Sequence, residues 1–244
     1  MKTYHFTLQH KGNTGKTFVA YWLFQYLQGK GLNVLGFDAD NLFPKFANFE
    51  EFQIRKIKIA PSLVSNAEPI SFDPVLDAMA LAADGSHAVI DTGAATINYL
   101  ENYLHDHDTI AKIIANGDRV FIHTVIGSDA AIEPCTRYMV GLPEKYPNCP
   151  LVVWLNDYSG PIEMNGKDFY SFKAYQNNAS SIHAVIEIQS GKNQLLQEDI
   201  SQMLMKWQSV KAYQEDTANG FMPKGRVKRY WAELVSRIDT ANLV

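Results

Sequence analysis

The chain has 244 residues, and its 22 Lys and Arg against 26 Asp and Glu give a formal net charge of −4, which excludes a surface built throughout to coat nucleic acid. That length suits one α/β domain over residues 1–244 with a full core and requires no second domain. Two cysteines, Cys135 and Cys149, are too few for a disulfide framework, and no apolar run approaches the roughly 20 residues of a membrane span, so a soluble, cytoplasmic protein with two buried thiols is expected.

In chain order, Met1 to Gln9 shows neither a charged prelude nor a small-residue cleavage site, and no leader is expected. Tyr4 to Leu8 reads as a strand, and a helical pattern begins at Phe18. Between them lies Gln9-His10-Lys11-Gly12-Asn13-Thr14-Gly15-Lys16-Thr17. Strand, small-residue loop and helix in this order suit phosphate, because backbone N–H groups can curl around its oxygens while the helix N-terminus adds partial positive charge. In that reading Lys16 reaches the β and γ phosphates and the Thr17 hydroxyl completes a Mg²⁺ shell. His10 stands where the strict pattern G-x-x-x-x-G-K-[ST] has its first glycine. Asn13 tolerates a left-handed backbone better than most residues.

The remaining pattern K-G-x-x-G-K-T resembles the deviant Walker A motif of the partition and division-site ATPases, the ParA/MinD superfamily, with the extra lysine at Lys11. The resemblance implies ATP held by Lys11, Gly12, Asn13, Thr14, Gly15, Lys16, Thr17 and Phe18. It also implies an ATP-dependent homodimer in which Lys11 reaches the phosphates of the other subunit.

Phe18, Val19, Trp22, Leu23, Tyr26 and Leu27 predict the first helix, stopped at Gly29 and Gly31. Leu32 to Phe37 predicts a buried strand ending in Asp38-Ala39-Asp40, at the edge where open parallel sheets bind ligands. Two residues apart on extended backbone, both carboxylates face one side. The family resemblance implies that Asp38 helps hold the metal's water shell and Asp40 polarises the attacking water; the other reading is a pair of turn caps. Asn41-Leu42 replaces the family's Pro-Gln. Ile54, Ile57 and Ile59 among Arg55, Lys56 and Lys58 predict an edge strand within 48–65, its basic side either solvated or in contact with DNA. Asp73-Pro74 opens a helix.

His87 to Ile90 is the next buried strand, ending in Asp91-Thr92-Gly93-Ala94-Ala95 in the form of a Walker B segment, whose carboxylate holds the Mg²⁺ shell. Asn98 to Asn116 is mainly helical, with His105 and His107 at the surface. Arg119 to Ile126 and Leu151 to Leu155 are further strands with a helix through Tyr138 to Val140 between them. The second strand ends in Asn156, either a contact to the adenine edge or a turn former. His183 to Ile188 predicts the last strand, and 195–211 one amphipathic helix with Leu196, Ile200, Met203, Leu204 and Trp207 inward. A basic amphipathic helix at about 224–240 carries Lys224, Arg226, Lys228, Arg229 and Arg237. It either docks on its own domain or makes a local contact with DNA or anionic membrane.

These elements predict a single-domain P-loop α/β fold, a mostly parallel sheet with helices on both faces. The loop, Val89 to Ala95 and Trp154 to Glu163 together resemble the TraL family of conjugative-plasmid transfer proteins and the StbB plasmid-stability ATPases. That resemblance implies a switch working with other plasmid transfer or stability proteins. The rival readings are a P-loop kinase or ligase of the dethiobiotin-synthetase type and a nucleotide-binding adaptor with little turnover.

Overall fold

The computed structural model describes residues 1–59, 71–189 and 193–244. Its strands are β1 (Thr3–Thr7), β2 (Val34–Asp38), β3 (Arg55–Lys56), β4 (His87–Asp91), β5 (Arg119–Ile126), β6 (Leu151–Leu155), β7 (Glu163–Met164), β8 (Lys167–Asp168) and β9 (Ile182–Glu187). Its helices are α1 (Lys16–Gly29), α2 (Asp73–Leu81), α3 (Ile97–Asp106), α4 (Thr109–Ala115), α5 (Ile132–Lys145), α6 (Lys173–Gln176), α7 (Gln194–Met205), α8 (Val210–Glu215) and α9 (Phe221–Asp239).

Seven strands form one sheet in the order β3-β2-β4-β1-β5-β6-β9, and every neighbouring pair is parallel. β7 and β8 pair antiparallel as a separate ribbon. A parallel sheet needs cover on both faces, which is why its strands read as continuous apolar runs. On one face Tyr4, Phe6, Ile90 and Ile122 pack against α2, α3, α4 and α5; on the other Val89, Phe121, Val152 and Trp154 pack against α1, α7, α8 and α9. β1 therefore sits at the centre, and the loop that follows it opens onto the C-terminal edge of the whole sheet.

Three predicted elements are corrected. The helix expected over 195–211 is two helices, because Trp207 takes a left-handed φ of 53° and Ser209 caps α8. The Ser209 hydroxyl accepts from Ala212 N at 3.0 Å and donates to the Glu51 carboxylate at 2.7 Å, so a distant side chain holds the break. Trp207, predicted inward, is 38 % exposed. The helical stretch 98–116 likewise splits into α3 and α4 at Asp108, φ 49°. The predicted edge strand is only β3, with Arg55 and Lys56 exposed and Ile57 and Ile59 buried; its part from Ala60 to Ser65 lies outside the described residues.

The C-terminal helix docks on its own domain. Val227, Tyr230, Leu234 and Ile238 are buried, Arg226 pairs with Asp199, and Arg237 donates to Gln189 Oε1 at 2.8 Å, which leaves Lys228 and Arg229 as its exposed cations. Cys135 and Cys149 are buried free thiols, and His105 and His107 are exposed. Among the described residues no helix is long and apolar enough to cross a membrane.

Beside Phe121 and Trp154, three buried histidines form a hydrogen-bonded chain across neighbouring strands. An indole N–H can only donate, so the 3.0 Å bond from Trp154 Nε1 makes His123 Nδ1 an acceptor. The direction then propagates: His123 Nε2 donates to His5 Nδ1 and His5 Nε2 to His87 Nδ1, each at 3.0 Å. Burial holds His5 well below the ordinary imidazole range and lowers His87 to about 4 and His123 to about 3. Below about pH 6.5 the unfolded chain takes up protons that these folded imidazoles refuse. Each then costs up to about 1.4 kcal/mol of stability per pH unit as pH falls. Asp38 and Asp91, raised by burial, act with the opposite sign over part of that window, so the imidazoles must be observed directly. Nitrogen-15 spectra at about pH 5 should show all three neutral and protonated on Nε2. A protonated ring among them would contradict the chain.

Candidate functional site

The loop after β1 is held from below and behind. Gln9 is buried and bridges strand to loop: its Nε2 donates to Val125 O at 3.1 Å, and its Oε1 accepts from Lys11 N at 3.2 Å. Asn13 takes φ 59° and Gly15 φ 102°, the left-handed positions that let the chain double back before α1 starts at Lys16. Gly15 also has no room for a side chain, since a Cβ there would lie 2.4 Å from Asn156 Nδ2. No side chain caps the first turn of α1, so its backbone donors face the loop available to an anion.

Lys16 is only 7 % exposed. Its Nζ donates to Lys11 O at 3.4 Å, and Thr14 Oγ1 donates to the same carbonyl at 3.3 Å. Burial lowers the Lys16 pKa, against the pull of Asp91 and Asp40, so one buried cation and two carboxylates share a field. The Lys11 side chain, by contrast, is exposed.

Asp38 and Asp91 end adjacent strands in direct register. Asp91 is fully buried; its Oδ1 accepts from Thr7 Oγ1 at 3.2 Å and Thr92 N at 3.0 Å, while Oδ2 has no hydrogen-bond partner among the described residues. Burial pushes its pKa up to about 7, nearby Asp38 adds to this, and the Thr17 hydroxyl and Lys16 oppose it. Asp38 is raised to about 6 by burial, and its two oxygens accept from Asp40 N at 3.0 Å and Ala47 N at 2.9 Å. Asp40 Oδ1 accepts from Leu42 N and Phe43 N, both at 3.1 Å. The two aspartates thus organise the turn 38–47, as the capping reading expects, and still converge on the strand edge. Asp40 lies flat against Gly93, where a Cβ would come within 2.3 Å of its Cγ.

An orphaned, fully buried carboxylate oxygen beside a threonine hydroxyl and a lysine suits a hard divalent cation. Thr17, Asp91 and Asp38 fit that group, and the remaining donors would be water and phosphate oxygen. Among the described residues no group of three His, Cys, Asp or Glu is placed to hold a metal ion.

Asn156 is placed behind the loop. Its Nδ2 donates to Thr14 O at 2.9 Å and its Oδ1 accepts from Tyr158 N at 3.3 Å, so each end of the amide makes one bond to backbone. These bonds are those of a turn former, and the amide's second N–H and second oxygen lone pair stay available to a base edge. Phe18 stands edge-on to Trp22 and Tyr158, with ring centroids 5.3 and 6.5 Å away.

A sequence model of the CbiA family, the CobQ/CobB/MinD/ParA nucleotide binding domain, matches residues 6–227. The chain belongs to this family. Two Escherichia coli proteins named TraL are each 30 % identical to it over 242 residues, covering 99 % of both chains. Solved structures similar to it include MinD of Pyrococcus horikoshii OT3 complexed with Mg-ADP, 15 % identical with a TM-score of 0.48, covering 98 % of this chain and 96 % of that one. Another is a putative plasmid partition protein of Borrelia burgdorferi B31 bound to AMPPNP, 14 % identical with a TM-score of 0.47 and coverages of 98 % and 99 %. The family match runs from β1 into α9 and so contains every site residue described above.

Four side chains at this site were missed from sequence: Thr7, Gln9, Thr92 and Glu101. Gln9 and Thr7 had a signal, being polar residues in or next to an apolar strand. Glu101 had none, because all its partners lie outside its own helix.

Proposed function

We propose that this protein is a cytoplasmic Mg²⁺-dependent ATPase of the ParA/MinD type, a switch working in plasmid conjugative transfer or plasmid stability. The observation that carries the reading is the convergence of the buried Lys16 and the half-buried Thr17 with Asp38, Asp40 and Asp91 around an unsatisfied Asp91 oxygen. Lys16 and the first-turn amides of α1 bind the phosphates, and Thr17, Asp91 and, at one remove, Asp38 hold Mg²⁺. The ion, when bound, spreads the charge of the transferring phosphoryl group. Asp40 orients the attacking water with its carboxylate, and Lys11, exposed on the same face, serves a second subunit in an ATP-dependent homodimer.

The plasmid assignment rests on the likeness to TraL. Other plasmid transfer or stability proteins are its partners in this reading, and any contact of α9 with DNA or anionic membrane falls to Lys228 and Arg229. One observation favours a slow adaptor over an efficient enzyme: Asp40 already accepts two backbone N–H groups. Calorimetric titration with ATP and Mg²⁺, paired with a phosphate-release assay, separates the two. Binding without release selects the adaptor, and no binding at all overturns the nucleotide reading.

A further inference from the structure

We propose that Glu101 is a positioning residue for the phosphate loop and acts on it through His10. The inference rests on the nucleotide reading above. Glu101 lies on α3 and is 4 % exposed, yet four donors reach its carboxylate. Tyr138 and Tyr146 hydroxyls donate to Oε1 at 2.7 and 3.3 Å, Lys145 Nζ meets Oε2 at 2.8 Å, and His10 Nε2 meets the same Oε2 at 2.9 Å. These partners hold the Glu101 pKa below the usual value against the burial that would raise it. Tyr138 also packs edge-on against the His10 ring, centroids 4.6 Å apart.

Three of the four donors come from α5 or the residue after it and would satisfy a purely structural carboxylate. The fourth is the side chain standing where the strict loop pattern has glycine. It gives the loop a handle that glycine lacks. The next peptide is pinned as well, because Lys11 N is held by Gln9 while Lys11 O receives Thr14 Oγ1 and Lys16 Nζ. Where His10 sits therefore sets where the Lys11 carbonyl sits, and with it the direction of the Lys16 ammonium. The other end of α3 is fixed to the carboxylate turn, since Thr96 Oγ1 donates to Ala39 O at 2.9 Å. Glu101 thus joins the turn carrying Asp38 and Asp40 to the start of the loop through less than two turns of helix.

The test uses the full chain with His10→Ala, His10→Gln, Glu101→Gln and Lys145→Met, reading ATP affinity, amide exchange over residues 9–17 and thermal stability. His10→Ala should weaken ATP binding about tenfold, as for one lost charge-assisted hydrogen bond, and speed exchange across the loop. His10→Gln, which keeps a donor for Glu101, should restore both. Glu101→Gln should add little to loop exchange in the His10→Ala background. Lys145→Met, which removes another partner of the same oxygen, should lower thermal stability and leave loop exchange unchanged. Parental loop exchange in His10→Ala, or loosening by Lys145→Met as large as that by His10→Ala, would overturn the proposal. Should the parent bind no ATP, the nucleotide reading fails while the exchange data still decide the role of Glu101.

Discussion

Lys16→Ala should lose ATP affinity by roughly 10²- to 10³-fold in calorimetric titration, the equivalent of about 3–4 kcal/mol. The residue is buried beside two carboxylates, so the folded protein already bears the cost of desolvating an ammonium there. Asp91 and Asp40 offset part of that cost, and phosphate oxygens at close range, where charge-assisted hydrogen bonds are strongest, would offset the rest. Alanine also leaves Asp40 and Asp91 without their neighbouring cation, adding repulsion toward a polyanion. The folded state should survive, because α1 buries Val19, Trp22, Leu23 and Leu27 independently of Lys16. An unchanged ATP affinity in a folded Lys16→Ala protein would remove the phosphate-binding role.

Asp40→Ala should still bind ATP but hydrolyse it at least about 10²-fold more slowly in single turnover, the usual contribution of a positioned catalytic base or water-orienting group. Gly93 provides an independent way to move the same carboxylate, because a methyl group at that position collides with Asp40 Cγ. Gly93→Ala should therefore mimic Asp40→Ala in turnover while leaving the loop contacts of Lys16 in place. Equal single-turnover rates for Asp40→Ala and the parent would assign Asp40 to the turn alone and favour the adaptor.

How much of this was legible in the sequence depended on where each partner lay. β5 and β6 match their predicted bounds: β6 is an uninterrupted apolar run, and β5 is a mostly apolar run rich in β-branched residues between polar flanks. The loop and the carboxylates were legible for a related reason. Each follows a buried strand directly, and in a parallel sheet all the C-terminal strand ends share one edge. Breaks imposed from elsewhere in the fold were not legible, as at Trp207, where Glu51 holds the Ser209 cap. Nor was the engagement of Asn156, whose acceptor Thr14 O is 142 residues away in the chain. The histidine chain also escaped, because His5, His87 and His123 become neighbours only through the strand order.

The switch reading is tested most directly through Lys11, a second lysine beside a loop whose phosphates the proposal assigns to Lys16. Its side chain is exposed while its carbonyl accepts from Thr14 and Lys16, and service to a second subunit requires that exposure. Sedimentation velocity of the Asp40→Ala protein, in which ATP is expected to persist, measures this directly with ATP, with ADP and without nucleotide. The account expects a dimer with ATP, a monomer in the other two states, and loss of the dimer when Lys11→Ala is added although nucleotide still binds. The same association state under all three conditions, or ATP hydrolysis at the parental rate by a monomeric Lys11→Ala protein, would contradict it.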